Sequence, residues 1–279
     1  MHSVGVASIV WNFTQDLKQA IAGLFHDIST PTFAHTVDFL NNDYIKQEST
    51  EDNTILFIKN SKSITALLKE NNIKIDDVSN YSKYPIADND TPMLSADRLE
   101  YTLGNGYIVH NVDLHEINSI YNDLTIVKNE NEIDELCFRS LKYAKRFVEI
   151  SLQNSYWFVS DEDRFAMQYL ADMIKYAIQN NILSFDELFA TERYVIQKLK
   201  NNSKSLEMWN KYTKISSVAT TSNKDPNIYC VNVPAKKRYI NPLVLIDTKV
   251  KRIADVDIMS KENIENFLLL SFNKWIYAV

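Results

Sequence analysis

Gly23-Leu24-Phe25-His26-Asp27-Ile28 sets an imidazole beside a carboxylate inside an apolar run, and Pro31, Phe33 and His35 follow closely. An imidazole and a carboxylate side by side can supply one nitrogen and one oxygen ligand to a single divalent cation. Such a pair sits among apolar neighbours only if something balances the buried charge. A His-Asp dipeptide by itself is more often a surface pair or a helix end. Leu17 to Asp27 has helical periodicity, and Pro31 stops its continuation. The pair is therefore expected at the end of a buried helix beside a turn, rigid on one side and open on the other.

Helical spacing continues in both directions. Val6, Ile9, Val10 and Phe13 mark the apolar face of a first helix, Phe33 to Asn41 begins a third, and Glu48 to Glu70 reads as a longer one. Tyr81 to Thr91, polar and carrying Pro85, reads as a loop. It leads into a helix with Asp97 and Tyr101 four apart on one face. Ile133, Leu136, Cys137, Ala144, Phe147 and Val148 form one stripe, and Met167, Leu170, Ile174, Ala177 and Ile178 another. Ser184-Phe185-Asp186-Glu187 is a capping-box signature. From about Ser216 the pattern changes. Ile228 to Val233 and Leu243 to Ile246 read as short strands, and Asn263 to Phe272 as a closing helix. The expected architecture is mainly α: a helical domain over residues 1–215 with a small C-terminal α+β extension, 216–279, packed on it.

Composition excludes several alternatives. A chain of 279 residues with 45% hydrophobic residues buries a sizeable core. Only 4 glycines and 6 prolines argue against a β-sandwich or a glycine-rich nucleotide-binding fold. A net charge of −6 gives no general affinity for nucleic acid. Cys137 and Cys230 lie far apart without metal-type spacing and suit a reducing compartment. No apolar run is long enough to span a bilayer and no signal-peptide pattern opens the chain, so a cytoplasmic protein is expected.

Two further fragments join the central pair: His2-Ser3-Val4-Gly5-Val6 and Ser95-Ala96-Asp97-Arg98-Leu99-Glu100-Tyr101. In order they read H…HD…D, and with these residues the chain resembles the HD-domain metal-dependent phosphohydrolases. It most resembles the branch containing the deoxynucleoside triphosphate triphosphohydrolases. The resemblance implies an HD-domain helical bundle and one divalent ion held by His2, His26, Asp27 and Asp97. Two imidazoles and two carboxylates suit Mn²⁺, Fe²⁺, Zn²⁺ or Mg²⁺ alike. Such an ion lowers the pKa of its water and draws electron density from phosphorus.

The same resemblance assigns the remaining roles. In the branch's D-[KR]-x-[DE]-Y pattern, Arg98 and Tyr101 become contacts to substrate phosphate. The F-[SA]-H-x-x-[DE] pattern appears as Phe33-Ala34-His35-Thr36-Val37-Asp38, implying a catalytic His35 oriented by Asp38. On sequence alone His35 reads equally as a core-capping histidine, and Asp97 as a carboxylate favoured at a helix N-terminus. There are departures. Thr30 and Gln47 stand where active members of the branch carry histidines, and neither titrates near neutral pH. Members also have a helical segment before the first histidine, whereas His2 directly follows Met1, so a shortened N-terminus is expected.

Ala235-Lys236-Lys237-Arg238-Tyr239 places three cations between two expected strands. It reads first as a solvated edge strand guarded against aggregation, and alternatively as a hold for the distal phosphates of a nucleotide. Lys249, Lys251 and Arg252 extend the same basic face. Asp161-Glu162-Asp163-Arg164 reads as the acidic first turn of a helix, with Arg164 alternatively at the rim of a site. His110 and His115 read as looped surface residues, and the four tryptophans as core or interface. Two function classes follow. One is a phosphohydrolase that turns metal-activated water on a nucleotide or another small phosphate ester. The other is a degenerate HD scaffold that binds a nucleotide without turnover. A homo-oligomer is expected from the habit of relatives of this type.

Overall fold

The structure, a computed structural model, describes residues 1–45 and 53–279. These are mainly helical, with thirteen α-helices against seven short strands among the described residues. They fall into two units, each assembled from separate stretches of chain: residues 1–28, 53–156 and 238–270 in the first, 29–52, 157–237 and 271–279 in the second.

In the first unit α1 (His2–Thr14) buries Val6, Ile9 and Val10, the face its periodicity predicts. α2 (Leu17–Phe25) opens on Asp16, whose carboxylate accepts from the Lys18 and Gln19 N–H groups and so satisfies two orphan donors. Gly23 lets α2 lie close on α1: a Cβ there would stand 3.3 Å from Val6 and 3.4 Å from Val10. Ile21, Phe25 and Ile28 pack against a small core of Ile58, Leu68, Ile73 and Val78. α7 (Ala96–Ile108) is capped by the Ser95 hydroxyl and buries Leu99 and Leu103. α8 (Leu114–Asn122), most of α9 (Leu141–Phe158) and α13 (Ile258–Leu268) complete the helical part.

A sheet with the order β1-β2-β5-β6 completes this unit. β1 (Leu124–Lys128) pairs antiparallel with β2 (Asp134–Phe138). β2 runs parallel to β5 (Leu243–Ile246), and β5 turns back into β6 (Lys249–Arg252). The helical stripe expected to run from Ile133 to Val148 is corrected here. Its first part is β2, and only Ala144, Phe147 and Val148 are helical, on α9. Leu136, Cys137 and Phe138 are all fully buried because β2 is an interior strand covered on both faces, so they show no alternation. A short apolar run of that kind reads equally well as helix or strand.

In the second unit α10 (Asp161–Gln179), capped by Ser160, is the central helix. Its Leu170, Met173, Ile174 and Ala177 pack with Val37, Leu188, Val195 and Leu199. These come from α3 (Thr36–Leu40), the turn before α11 (Glu192–Lys200), and α11 itself; α12 (Ser203–Tyr212) follows. A second sheet, ordered β3-β7-β4, joins β3 (Val218–Thr221), β7 (Trp275–Ala278) and β4 (Cys230–Val231). Residues 216–279, expected as one C-terminal extension, therefore contribute to both units.

Other expectations are adjusted locally. The helix expected over Glu48 to Glu70 breaks at Ser61, leaving α4 (Thr54–Asn60) and α5 (Lys62–Glu70); residues 46–52, including Gln47, lie outside the described residues. The third helix starts at Thr36, not Phe33, because Phe33 and Ala34 take left-handed φ of 64° and 40°. The Ser184–Glu187 capping box forms, but it opens only one 3₁₀ turn, Asp186–Phe189. The closing helix is displaced towards the N-terminus, because Asp257 rather than a later residue caps it. Only Cys230–Val231 of the expected 228–233 strand is paired. Lys236, Lys237 and Arg238 lie on no strand, which removes the edge-strand reading. Among the described residues no helix is long and apolar enough to cross a membrane.

Candidate metal centre

The His26-Asp27 pair sits at the end of α2, His26 being its C-cap residue. His26 Nδ1 lies 2.7 Å from the Gly23 carbonyl oxygen. That oxygen only accepts, so Nδ1 carries the proton and the ring presents Nε2 outward. His2, in the first turn of α1, is arranged the same way: its Nδ1 donates to the Glu100 carboxylate, and its Nε2 lies 2.9 Å from Asp97 Oδ1. The two Nε2 atoms stand 3.2 Å apart, with the rings edge to face.

α7 contributes Asp97 from its first turn, where the helix N-terminus favours a carboxylate. His2, His26 and Asp97 each offer a donor atom, and the three atoms lie within 4.8 Å of one another. Asp27 joins them, with Oδ2 at 3.2 Å from His26 Nε2 and 3.8 Å from His2 Nε2. The neighbouring donor separations, 2.9 to 3.8 Å, bracket the edge of a small coordination octahedron. With metal–ligand bonds near 2.1 Å that edge is about 3.0 Å.

Electrostatics agree with this geometry. Burial works against a charged His2, yet hydrogen bonds to Asp97 and Glu100 outweigh it and raise the ring's pKa from 6.5 to about 9. Burial likewise opposes charge on His26, whose pKa the Asp27 and Asp97 carboxylates raise to about 10. Asp97 is pushed up by burial, but the two imidazoles overcome this and hold it well below the usual carboxylate range. Two lone pairs aimed at each other across 3.2 Å need a positive charge near them. The field that retains protons there also attracts a cation, and the donor set fits a divalent ion.

Around the donors, Arg98 is tethered through one nitrogen: Nη1 donates to Asn89 at 2.7 Å and to Asp88 and Ser95 at 3.1 Å. Tyr101 keeps its proton far above neutrality: burial and the nearby Asp97 charge push its pKa up to about 12, against the charges of Arg98 and Arg238. His35, Asp38, Lys236 and Lys237 belong to the second unit. There His35 is half exposed and its Nδ1 lies 3.0 Å from the buried Asp38 carboxylate. The Lys237 ammonium sits 5.4 Å from the centre of the Phe272 ring.

Three expectations change. Arg164 is not at a rim but buried inside the second unit, donating to the Val233 carbonyl at 2.7 Å and to Asp161. His115 lies on α8 rather than in a loop, and His110 Nε2 donates to the Asn154 side-chain oxygen at 2.8 Å. Glu100 and Gly5 were not singled out by sequence reasoning, although both stood in the quoted fragments. The available signal was spacing: each lies three residues, one helical turn, after a candidate ligand.

No family model matches the chain. It is 26% identical over 250 residues to YdhJ, an uncharacterised protein of Bacillus subtilis, covering 89% of this chain and 74% of that one. Among solved structures it is similar to a hypothetical protein from Aquifex aeolicus, with a TM-score of 0.67 and 18% identity over 99% of this chain and 82% of the other. It is also similar to a phosphohydrolase from Bacteroides thetaiotaomicron, with a TM-score of 0.64 and 15% identity, covering 100% and 86% of the two chains. At these identities the structural likeness is one of fold.

Proposed function

We propose that the chain is a divalent-metal-dependent phosphohydrolase of the HD type, acting on a nucleotide or another small phosphate ester. The observation that carries this reading is the meeting of His2, His26 and Asp97, whose donor atoms lie within 4.8 Å of one another, with Asp27 beside them. Likeness in fold to a solved phosphohydrolase supports the reaction class. These four residues hold the ion, and Mn²⁺, Fe²⁺, Zn²⁺ and Mg²⁺ all suit them. When bound, the ion supplies a Lewis acid that acidifies water and withdraws electron density from phosphorus.

The chain's own residues bind and orient the phosphate. Arg98 is anchored through Nη1, and its Nε and Nη2 groups make no hydrogen bond to described residues, which leaves them for phosphate oxygens. Tyr101, protonated up to about pH 12, donates its hydroxyl hydrogen rather than accepting one. His35 donates Nδ1–H to Asp38, so the lone pair at Nε2 takes up and returns a proton. Lys236, Lys237 and Arg238 supply positive charge for the distal phosphates of a nucleotide.

The test pairs metal uptake with turnover. Titration with Mn²⁺ followed by a screen of nucleotides and simple phosphate esters gives binding and hydrolysis in the wild type, and neither in His26→Ala/Asp27→Ala. Thr30, where a histidine stands in active members of the branch, favours a second reading, a nucleotide-binding scaffold. Metal and nucleotide binding without hydrolysis would select it.

A further inference from the structure

We propose that Glu100 is the positioning residue of this metal centre, acting through His2, and that position 5 is glycine so that Glu100 can do so. The inference rests on the metal reading above. His2 Nδ1 donates to the Glu100 carboxylate, which confines the lone pair of the neutral ring to Nε2, the atom facing Asp97 and His26. A carboxylate behind a metal-binding imidazole fixes the ring's orientation and raises its basicity. The other imidazole is oriented by a backbone carbonyl, that of Gly23, which no side-chain substitution removes. Of the two imidazoles, His2 alone is held at Nδ1 by a side chain. Glu100 lies one turn beyond Asp97, so α7 supplies one donor directly and steadies a second from behind.

Gly5 lies one turn beyond His2 and faces the same carboxylate. A Cβ at position 5 would meet Glu100 Oε1 at 2.6 Å, Cγ at 2.7 Å and Cδ at 3.0 Å. The Cγ atom cannot yield without carrying the carboxylate away from His2. No glycine in the described chain has a positive φ, so backbone conformation does not demand glycine at this position. The close approach of Glu100 does.

The experiment measures Mn²⁺ affinity by calorimetry for the intact protein and for Glu100→Ala, Glu100→Gln, Gly5→Ala and the Gly5→Ala/Glu100→Ala double variant. Thermal melts run alongside, and the visible spectrum of the Co²⁺-loaded forms reports the ligand field. Glu100→Ala is expected to weaken binding about 10- to 100-fold and to shift the Co²⁺ spectrum. Glu100→Gln, which still accepts from Nδ1–H, retains part of the affinity. Gly5→Ala weakens binding by a factor similar to Glu100→Ala, and the double variant is no weaker than Glu100→Ala alone, because the glycine acts only through the carboxylate. Wild-type affinity in Glu100→Ala, or multiplication of the two single effects in the double variant, overturns this inference and leaves the metal reading standing. A wild-type protein that takes up no Mn²⁺ overturns both.

Discussion

Arg252 grips both oxygens of Glu135: Nη1 lies 2.6 Å from Oε1 and Nη2 lies 2.8 Å from Oε2, with the carboxylate fully buried on β2. Glu135 also accepts from the Asn129 side chain and from the Leu94 N–H, each at 3.0 Å. Leu94 directly precedes Ser95, the cap of α7. One carboxylate thus ties the sheet to the start of the helix that carries Asp97.

Arg252→Ala leaves that charge buried and uncompensated, and is expected to cost about 3–5 kcal/mol of stability. Glu130, which binds the exposed side of the same guanidinium, is itself 57% exposed. Its replacement by alanine is expected to cost no more than about 1 kcal/mol. Urea unfolding followed by circular dichroism separates the two, and equal losses would contradict this account.

Arg164 offers a contrast between structural and functional roles. Its guanidinium lies 4.8 Å from the Phe272 ring centre and donates to the Val233 carbonyl. Arg164→Met leaves a buried acceptor unpaired, for about 1–3 kcal/mol. Melting temperature is expected to fall while KM for any substrate stays unchanged. A raised KM with an unchanged melt would return Arg164 to a substrate-binding role.

The β5–β6 hairpin turns at Asp247 and Thr248, with φ of 44° and 68°. A two-residue turn of this hand favours glycine, above all over a β-branched residue. Thr248→Gly is expected to gain about 0.5–1 kcal/mol, the relief of the left-handed strain exceeding the added freedom of the unfolded chain. A differential scan against wild type reads the shift. A loss of stability would show that the threonine side chain makes a compensating contact.

The metal-free centre has a defined pH response. His2 and His26 have pKa values raised from 6.5 to about 9 and about 10. Their contribution to stability is therefore complete below about pH 6.5 and is lost as pH rises through 9 to 10. In chelator the melting temperature is expected to fall over that window, and the fall to flatten in Asp97→Asn. Added metal must displace the same protons, so Mn²⁺ affinity rises with pH, and calorimetry in buffers of different ionisation enthalpy shows proton release. Affinity independent of pH between 6 and 9 would mean that the imidazoles are not ligands.

Much of the helical framework was legible because its signals are local. Asp16, Ser95 and Ser160 are capping residues immediately before apolar periodic runs, and each opens a helix where expected. Leu243 to Ile246, four apolar residues bounded by Pro242 and Asp247, is a strand with the expected limits. β2 was not legible because Leu136 to Phe138 is short, uniformly buried and followed closely by α9, whose apolar spacing continues it. Its partner β5 lies more than a hundred residues further along, so nothing local distinguishes the strand. At the candidate site, order and resemblance drew attention to His2, His26-Asp27 and Asp97. Glu100 escaped because its partner is on another helix, and the packing of α1 against α7 that joins them is a tertiary fact.

The parallel pairing of Cys137 with Leu243 also orders events during synthesis. A nascent chain that has emerged only as far as α12 already contains every proposed metal donor, yet lacks β5, β6 and the guanidinium that neutralises Glu135. Until residue 252 clears the ribosome, β2 exposes an open edge and a carboxylate without its neutralising charge, an invitation to chaperones rather than to substrate.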